Sequence, residues 1–136
     1  MKTLTLLACL LATQSNATPL FENLSLNLPH HIYSGEWNHF VGGGVAVMDC
    51  NNDDLPDVFA AGGTSSSKLF LNKGNFKFNQ INVPEITGST GAYPIDVNAD
   101  GYMDLFVLQL GSNILLKGGP NCSFANANEE FNIPTN

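Results

Sequence analysis

Seven of the chain's 12 acidic residues stand in two windows of nine residues. The first reads Asp49-Cys50-Asn51-Asn52-Asp53-Asp54-Leu55-Pro56-Asp57, and the second Asp96-Val97-Asn98-Ala99-Asp100-Gly101-Tyr102-Met103-Asp104. Carboxylates packed this closely repel one another unless a cation lies between them. Both windows put an oxygen-bearing side chain at positions 1, 3, 5 and 9, and position 7 (Leu55 or Tyr102) is free to offer its backbone carbonyl. A curled loop with alternate oxygens suits Ca2+, which takes six to eight oxygen ligands at about 2.3–2.6 Å. Neither window holds a histidine and only the first holds a cysteine, which disfavours zinc and copper. The expected ligands are therefore Asp49, Asn51, Asp53, Leu55 and Asp57 in one loop, and Asp96, Asn98, Asp100, Tyr102 and Asp104 in the other. No catalytic residue and no organic cofactor is assigned.

An EF-hand loop also opens Asp-x-Asn-x-Asp, but it closes on a carboxylate at position 12 and runs into a helix. Position 12 here is Ala60 or Val107, and the residues after position 9 are strand-like: Val58-Phe59-Ala60 and Leu105-Phe106-Val107. Position 9 supplies the closing carboxylate instead. At position 6 Gly101 adopts a positive φ at little cost, whereas Asp54 tolerates it less well, so the first site is expected to be weaker or more strained.

The elements that position these loops repeat with them. Asp49 and Asp96 stand 47 residues apart, as do Asp57 and Asp104. Gly44-Val45-Ala46-Val47-Met48 lines up with Gly91-Ala92-Tyr93-Pro94-Ile95, and Leu69-Phe70-Leu71 with Ile114-Leu115-Leu116. Short apolar strands alternate with turn-rich stretches, and no sustained helical period comes after the N-terminal segment. A repeat of this length with about four short strands predicts an all-β chain of two four-stranded β-propeller-type blades, an incomplete propeller. The boundaries fall at 1–17 for a signal peptide, 18–40 for an N-terminal extension, 41–88 for the first blade and 89–136 for the second. Closed propellers take about four to eight blades, so the arithmetic predicts a truncated product, with a fragment or an assembling subunit as alternatives. Two blades alone leave open faces and edges through which the chain can self-associate.

Lys2, the apolar run Leu4 to Leu11 and the small residues Ser15-Asn16-Ala17 have the order of a signal peptide, and no later apolar run is long enough to span a membrane. Export to a secreted or periplasmic location is expected. A net charge of −7, from 12 acidic and 5 basic residues, argues against a nucleic-acid surface. Cys9 leaves with the signal. Cys50 and Cys122 can pair in an oxidising compartment or stand as two small buried residues, and spacing does not decide between them.

The loops, the strands that precede them and the turn Asn72-Lys73-Gly74 ahead of Phe76 and Phe78 resemble FG-GAP/VCBS repeats, the blades of integrin-α-type propellers. Their wording is most similar to the cartilage acidic protein (ASPIC/UnbV-associated) group. The resemblance covers about Phe40 to Phe131. It implies Ca2+ at Asp49, Asn51, Asp53 and Asp57 and at Asp96, Asn98, Asp100 and Asp104. It also implies an extracellular recognition or adhesion role, with a protein or glycan partner and no enzymatic activity. Asp54 in place of glycine and the two asparagines depart from the family's pattern.

Other constellations carry less. Gly42-Gly43-Gly44 lacks the third glycine of a dinucleotide fingerprint and the Gly-Lys-Ser/Thr of a phosphate loop, and reads as close packing at a strand start. Ser65, Ser66 and Ser67 lack a nucleophile elbow and read as a polar turn. His30, His31 and His39 read as surface residues, and Trp37 and Phe40 as packing on the first blade. A hydrolase or lyase on a propeller scaffold is the alternative function, and Glu36 with His39 is the near pair it would use.

Overall fold

Short runs of four to seven residues that carry Val, Ile, Leu, Phe or Ala, broken by Gly, Asn, Asp and Ser, favour short antiparallel ladders as the way to satisfy the backbone. In the computed structural model, which describes residues 20–40 and 42–135, those runs form eight strands. The expected signal peptide lies outside the described residues. The first sheet contains β1 (Val45–Met48), β2 (Asp57–Ala60), β3 (Lys68–Asn72) and β4 (Phe78–Ile81), in that order. The second contains β5 (Ser89–Ile95), β6 (Asp104–Gln109), β7 (Ile114–Gly119) and β8 (Ser123–Asn126), again in sequence order. Every pairing is antiparallel. Two meandering four-stranded sheets, neither closed into a barrel, are the two blades that the repeat predicts.

The register defines two faces on each sheet. In the first, Ala46, Phe59, Leu69 and Ile81 stand opposite one another across the four strands and share a face with Met48 and Leu71. In the second, Ala92 faces Val107 and Ile114, while Leu105 faces Leu116. These two sets are the body of a single core, in which Phe59, Leu69, Leu105, Val107 and Leu116 are fully buried. Each such side chain contributes about 1.5–3 kcal/mol relative to exposure. The register also moves one sequence alignment by a residue: Phe59 pairs with Leu69 and Phe106 with Leu115, so Leu69 corresponds to Leu115 rather than to Ile114.

The sheets meet closely at their inner strands. A Cβ on Gly44 would fall 2.8 Å from the Cα of Gly91, and the Gly44 N–H donates to the Thr90 carbonyl at 3.0 Å. The glycine run at 42–44 is thus a packing feature, as expected. Beside it runs a polar seam: buried Ser67 and Ser89 share a hydroxyl hydrogen bond of 2.7 Å, and the Ser89 hydroxyl accepts the Gly62 N–H at 3.0 Å. The serine turn therefore joins the blades instead of lying in solvent throughout.

The N-terminal extension corrects two expectations. His39 is buried, and His31 holds the Ala61 carbonyl through Nε2 at 2.8 Å, so of the three histidines only His30 is a surface residue. Trp37 and Phe40 stack on each other at 5.5 Å and stay exposed, at 82% and 76%, rather than packing on the first blade. The two side chains lie on one short 3₁₀ turn, Trp37–His39 with Phe40 as its C-cap, and that turn sends only His39 inward.

Candidate metal centres

Each acidic window is the connection from the inner strand of a blade to the next strand, β1 to β2 and β5 to β6. Because the strands are antiparallel neighbours, the loop must reverse within eight residues, and left-handed backbone at positions 4 and 6 does this. Asn52 and Asp54 have φ of 59° and 64°, and Ala99 and Gly101 have 55° and 87°. Position 6 is left-handed in both, as the Gly101 reading requires. Position 4 escaped sequence reading, since neither asparagine nor alanine announces it. It shifts the comparison of strain. Asn52 tolerates left-handed backbone and Ala99 does not, whereas Gly101 is free there and Asp54 less so.

The side-chain oxygens fold back on the loop's own amides in the same way twice. Asp49 accepts the N–H groups of Asp53 (3.1 Å) and Asp54 (2.8 Å), and Asp96 accepts those of Asp100 (3.1 Å) and Gly101 (3.0 Å). The Asn51 and Asn98 carbonyl oxygens accept the position-5 N–H at 3.2 Å in each loop. Asp53 and Asp100 accept from the position-7 N–H, of Leu55 and Tyr102, at 2.9 Å. For Asp100, that N–H and the Asn98 amide hold the carboxyl below the usual carboxylate range.

Position 9 is different in kind. Asp57 and Asp104 are fully buried at the starts of β2 and β6. Asp57 takes the Asn72 N–H at 2.8 Å and the Cys50 N–H at 3.1 Å; Asp104 takes the Gly118 N–H at 2.7 Å and the Val97 N–H at 2.9 Å. Each carboxylate thus ties the loop's second residue to the third strand of its blade. Burial pushes the Asp57 carboxyl above its ordinary range; the two backbone bonds pull it down, and the nearby Asp53 and Asp49 charges push it up again.

The structure pairs Cys50 with Cys122 in a disulfide, Cα to Cα 4.9 Å, across 72 residues of sequence. Cys50 is position 2 of the first loop and Cys122 ends the 3₁₀ turn Pro120–Cys122 before β8, so the bridge joins the two blades. Asp57 Oδ2 lies 3.0 Å from the Cys50 sulfur and 3.6 Å from that of Cys122. Bonded to each other, the sulfurs carry no proton, so neither approach is a hydrogen bond. Among the described residues, Cys50, Asp57 and Cys122 are the only three metal-ligating side chains whose donor atoms all lie within 4.8 Å of one another, and the disulfide removes both thiols from that role. The loop carboxylates stand wider apart, each held by backbone N–H groups that leave further lone pairs free. An all-oxygen donor set of this kind fits a hard divalent cation and not a soft one.

Glu36 and His39, the alternative catalytic pair, are linked backbone to backbone, His39 N–H to Glu36 carbonyl at 2.9 Å, with Glu36 exposed and His39 buried. Among the described residues no helix is long and apolar enough to cross a membrane.

Residues 49–107 match the family model described as FG-GAP-like repeat. The matched segment opens at the first residue of the first loop and closes within β6, just beyond the second loop. Over that segment the chain is similar to FG-GAP-like repeats. No curated protein and no solved structure matches the chain.

Proposed function

We propose that the chain is a secreted or periplasmic calcium-binding repeat module that recognises an extracellular protein or glycan, and that it is not an enzyme. Within the repeat family its loops resemble those of the cartilage acidic protein (ASPIC/UnbV-associated) group. One observation carries the calcium reading: two loops 47 residues apart repeat the same oxygen-to-amide bonds, position for position, at Asp49, Asn51, Asp53 and Asp57 and at Asp96, Asn98, Asp100 and Asp104. The backbone bonds orient the carboxylates, and the carbonyls of Leu55 and Tyr102 complete each donor set. Calcium, when bound, offsets the repulsion among the carboxylates and fixes the approach to the second strand. The blade-to-blade disulfide supports export, because such bonds persist in oxidising compartments.

At about ten times its dissociation constant, calcium stabilises by roughly 1.4 kcal/mol per site. Thermal melting in calcium and in chelator tests this, with a midpoint several degrees higher in calcium as the expected result. Terbium emission sensitised by Tyr102 reports chiefly on the second loop, since the first contains no aromatic residue. Identical midpoints together with silent terbium would remove the proposal.

A further inference from the structure

The two sheets pack through unlike faces. The first sheet uses the face of Ala46, Met48, Phe59 and Leu69; the second uses the face of Ala92, Leu105, Val107 and Leu116. By the repeat, Tyr93, Ile95 and Phe106 of the second sheet correspond to Ala46, Met48 and Phe59, and the register puts them on the second sheet's outward face. Val45, Val47 and Val58 correspond to Ala92, Pro94 and Leu105, and they lie on the first sheet's outward face. The described residues therefore present two open faces of the same two kinds that join their own blades, one on each sheet.

The outer parts of both faces are already occupied by the chain itself. On the first sheet, the His31 ring stands edge-on to buried Phe70 at 6.0 Å. On the second, Ala127 and Asn128 hydrogen-bond the backbone of buried Leu115, and Glu130 pairs with Lys117 at 2.7 Å. The inner strands stay open: Val45 and Val47 are 57% and 56% exposed, and Tyr93 and Ile95 are 63% and 47% exposed. The outer-edge strands β4 and β8 are only four residues each and half polar, a poor template for strand addition. Association thus belongs to the faces and not to the edges.

The geometry points to head-to-tail self-assembly, in which the Val45/Val47 face of one copy seats on the Tyr93/Ile95 face of the next. The occupant is a second copy because the chain presents both halves of a contact type it already makes internally. The glycines that permit the internal backbone approach, Gly44 and Gly91, would meet again between copies, Gly91 of one facing Gly44 of the next. Tyr93 and Val45 are bulkier than Ala46 and Ala92, so neighbouring copies stand further apart than the two blades of one copy. Such a contact is heterologous, and it generates rings if the rotation closes and open series if it does not. With the outer halves covered, the contact is smaller than a whole sheet face, so association is weak, micromolar or above.

Sedimentation velocity on the full chain, disulfide intact and in calcium, over about 1 μM to 1 mM tests this. Val47→Lys and Tyr93→Lys change exposed residues and leave melting and circular dichroism unchanged. The wild type is expected to grow with concentration, and each variant to associate about tenfold or more weakly. An equimolar mixture of the two variants retains one intact face of each kind, and is expected to form a one-to-one dimer and stop there. A wild type that stays monomeric over the whole range overturns the assembly. So does a single variant that still dimerises as the wild type does, or a mixture that gains nothing over its components.

Discussion

The two acidic loops share a sequence pattern and a hydrogen-bond pattern but not their surroundings. In the second loop, position 2 is Val97, 40% exposed; Asp104 ties the loop to its own blade, and the first blade reaches it through the Asn52 amide, which donates to the Gly101 carbonyl at 3.4 Å. In the first, position 2 is Cys50, buried and bonded to Cys122 of the other blade, with Asp57 beneath the bridge. One loop is a local hairpin bend; the other is a node of the inter-blade interface. The spacing of oxygens determines what a loop can bind, while its anchoring determines how far the rest of the molecule responds.

The disulfide should produce the largest difference. Closing a 72-residue loop removes about 4 kcal/mol of chain entropy from the unfolded state. The double variant Cys50→Ser/Cys122→Ser is expected to melt about 10 °C or more below the parent. Its calcium titration is expected to show weaker binding at the first loop and unchanged terbium emission at the second. Equal weakening at both loops would erase the distinction drawn between them.

Asp57→Asn and Asp104→Asn come next. In either, an amide NH2 faces a backbone N–H that formerly met a carboxylate, at a cost of about 1–3 kcal/mol in calcium, read from chemical denaturation. Asp57 adds a pH dependence in chelator. Its folded pKa lies above its ordinary value, so its favourable contribution is present below the unfolded pKa of about 3.9 and is lost as pH rises through the folded value. Between pH 4 and pH 7, the chelated parent is expected to lose stability relative to Asp57→Asn, and calcium is expected to reverse the trend. A stability difference that stays flat with pH would show that burial does not dominate at Asp57.

The smallest effects test strain. Ala99→Gly relieves a left-handed alanine and is expected to stabilise the second loop by about 0.5–1 kcal/mol, in melting and in calcium affinity. Asp54→Gly is expected to gain less, because aspartate tolerates that conformation better than alanine does. A larger gain at Asp54 would restore the first loop as the more strained of the two.

Much of the fold was legible because it is local. Alternating apolar residues, the turn at Asn72-Lys73-Gly74 and the 47-residue echo of Asp49 and Asp57 specify strands and loops through near neighbours alone, and the apolar run Leu69-Phe70-Leu71 lies within β3. The oxygen pattern at positions 1, 3, 5 and 9 was equally open to reading, as was the left-handed turn at position 6. Other features were not. Trp37 and Phe40 read as packing on the first blade, yet a single 3₁₀ turn points them outward. His39 read as surface and is buried.

The sequence by itself determined the two-blade repeat and the placing of oxygen-bearing side chains in each acidic loop, since both depend on spacing along a few dozen residues. Only the tertiary structure decided that Cys50 meets Cys122, that Ser67 meets Ser89 and which face of each sheet turns inward. Those choices depend on how one sheet rotates against the other. A period of two along a strand distinguishes two faces, but it does not say which of them a neighbour will cover.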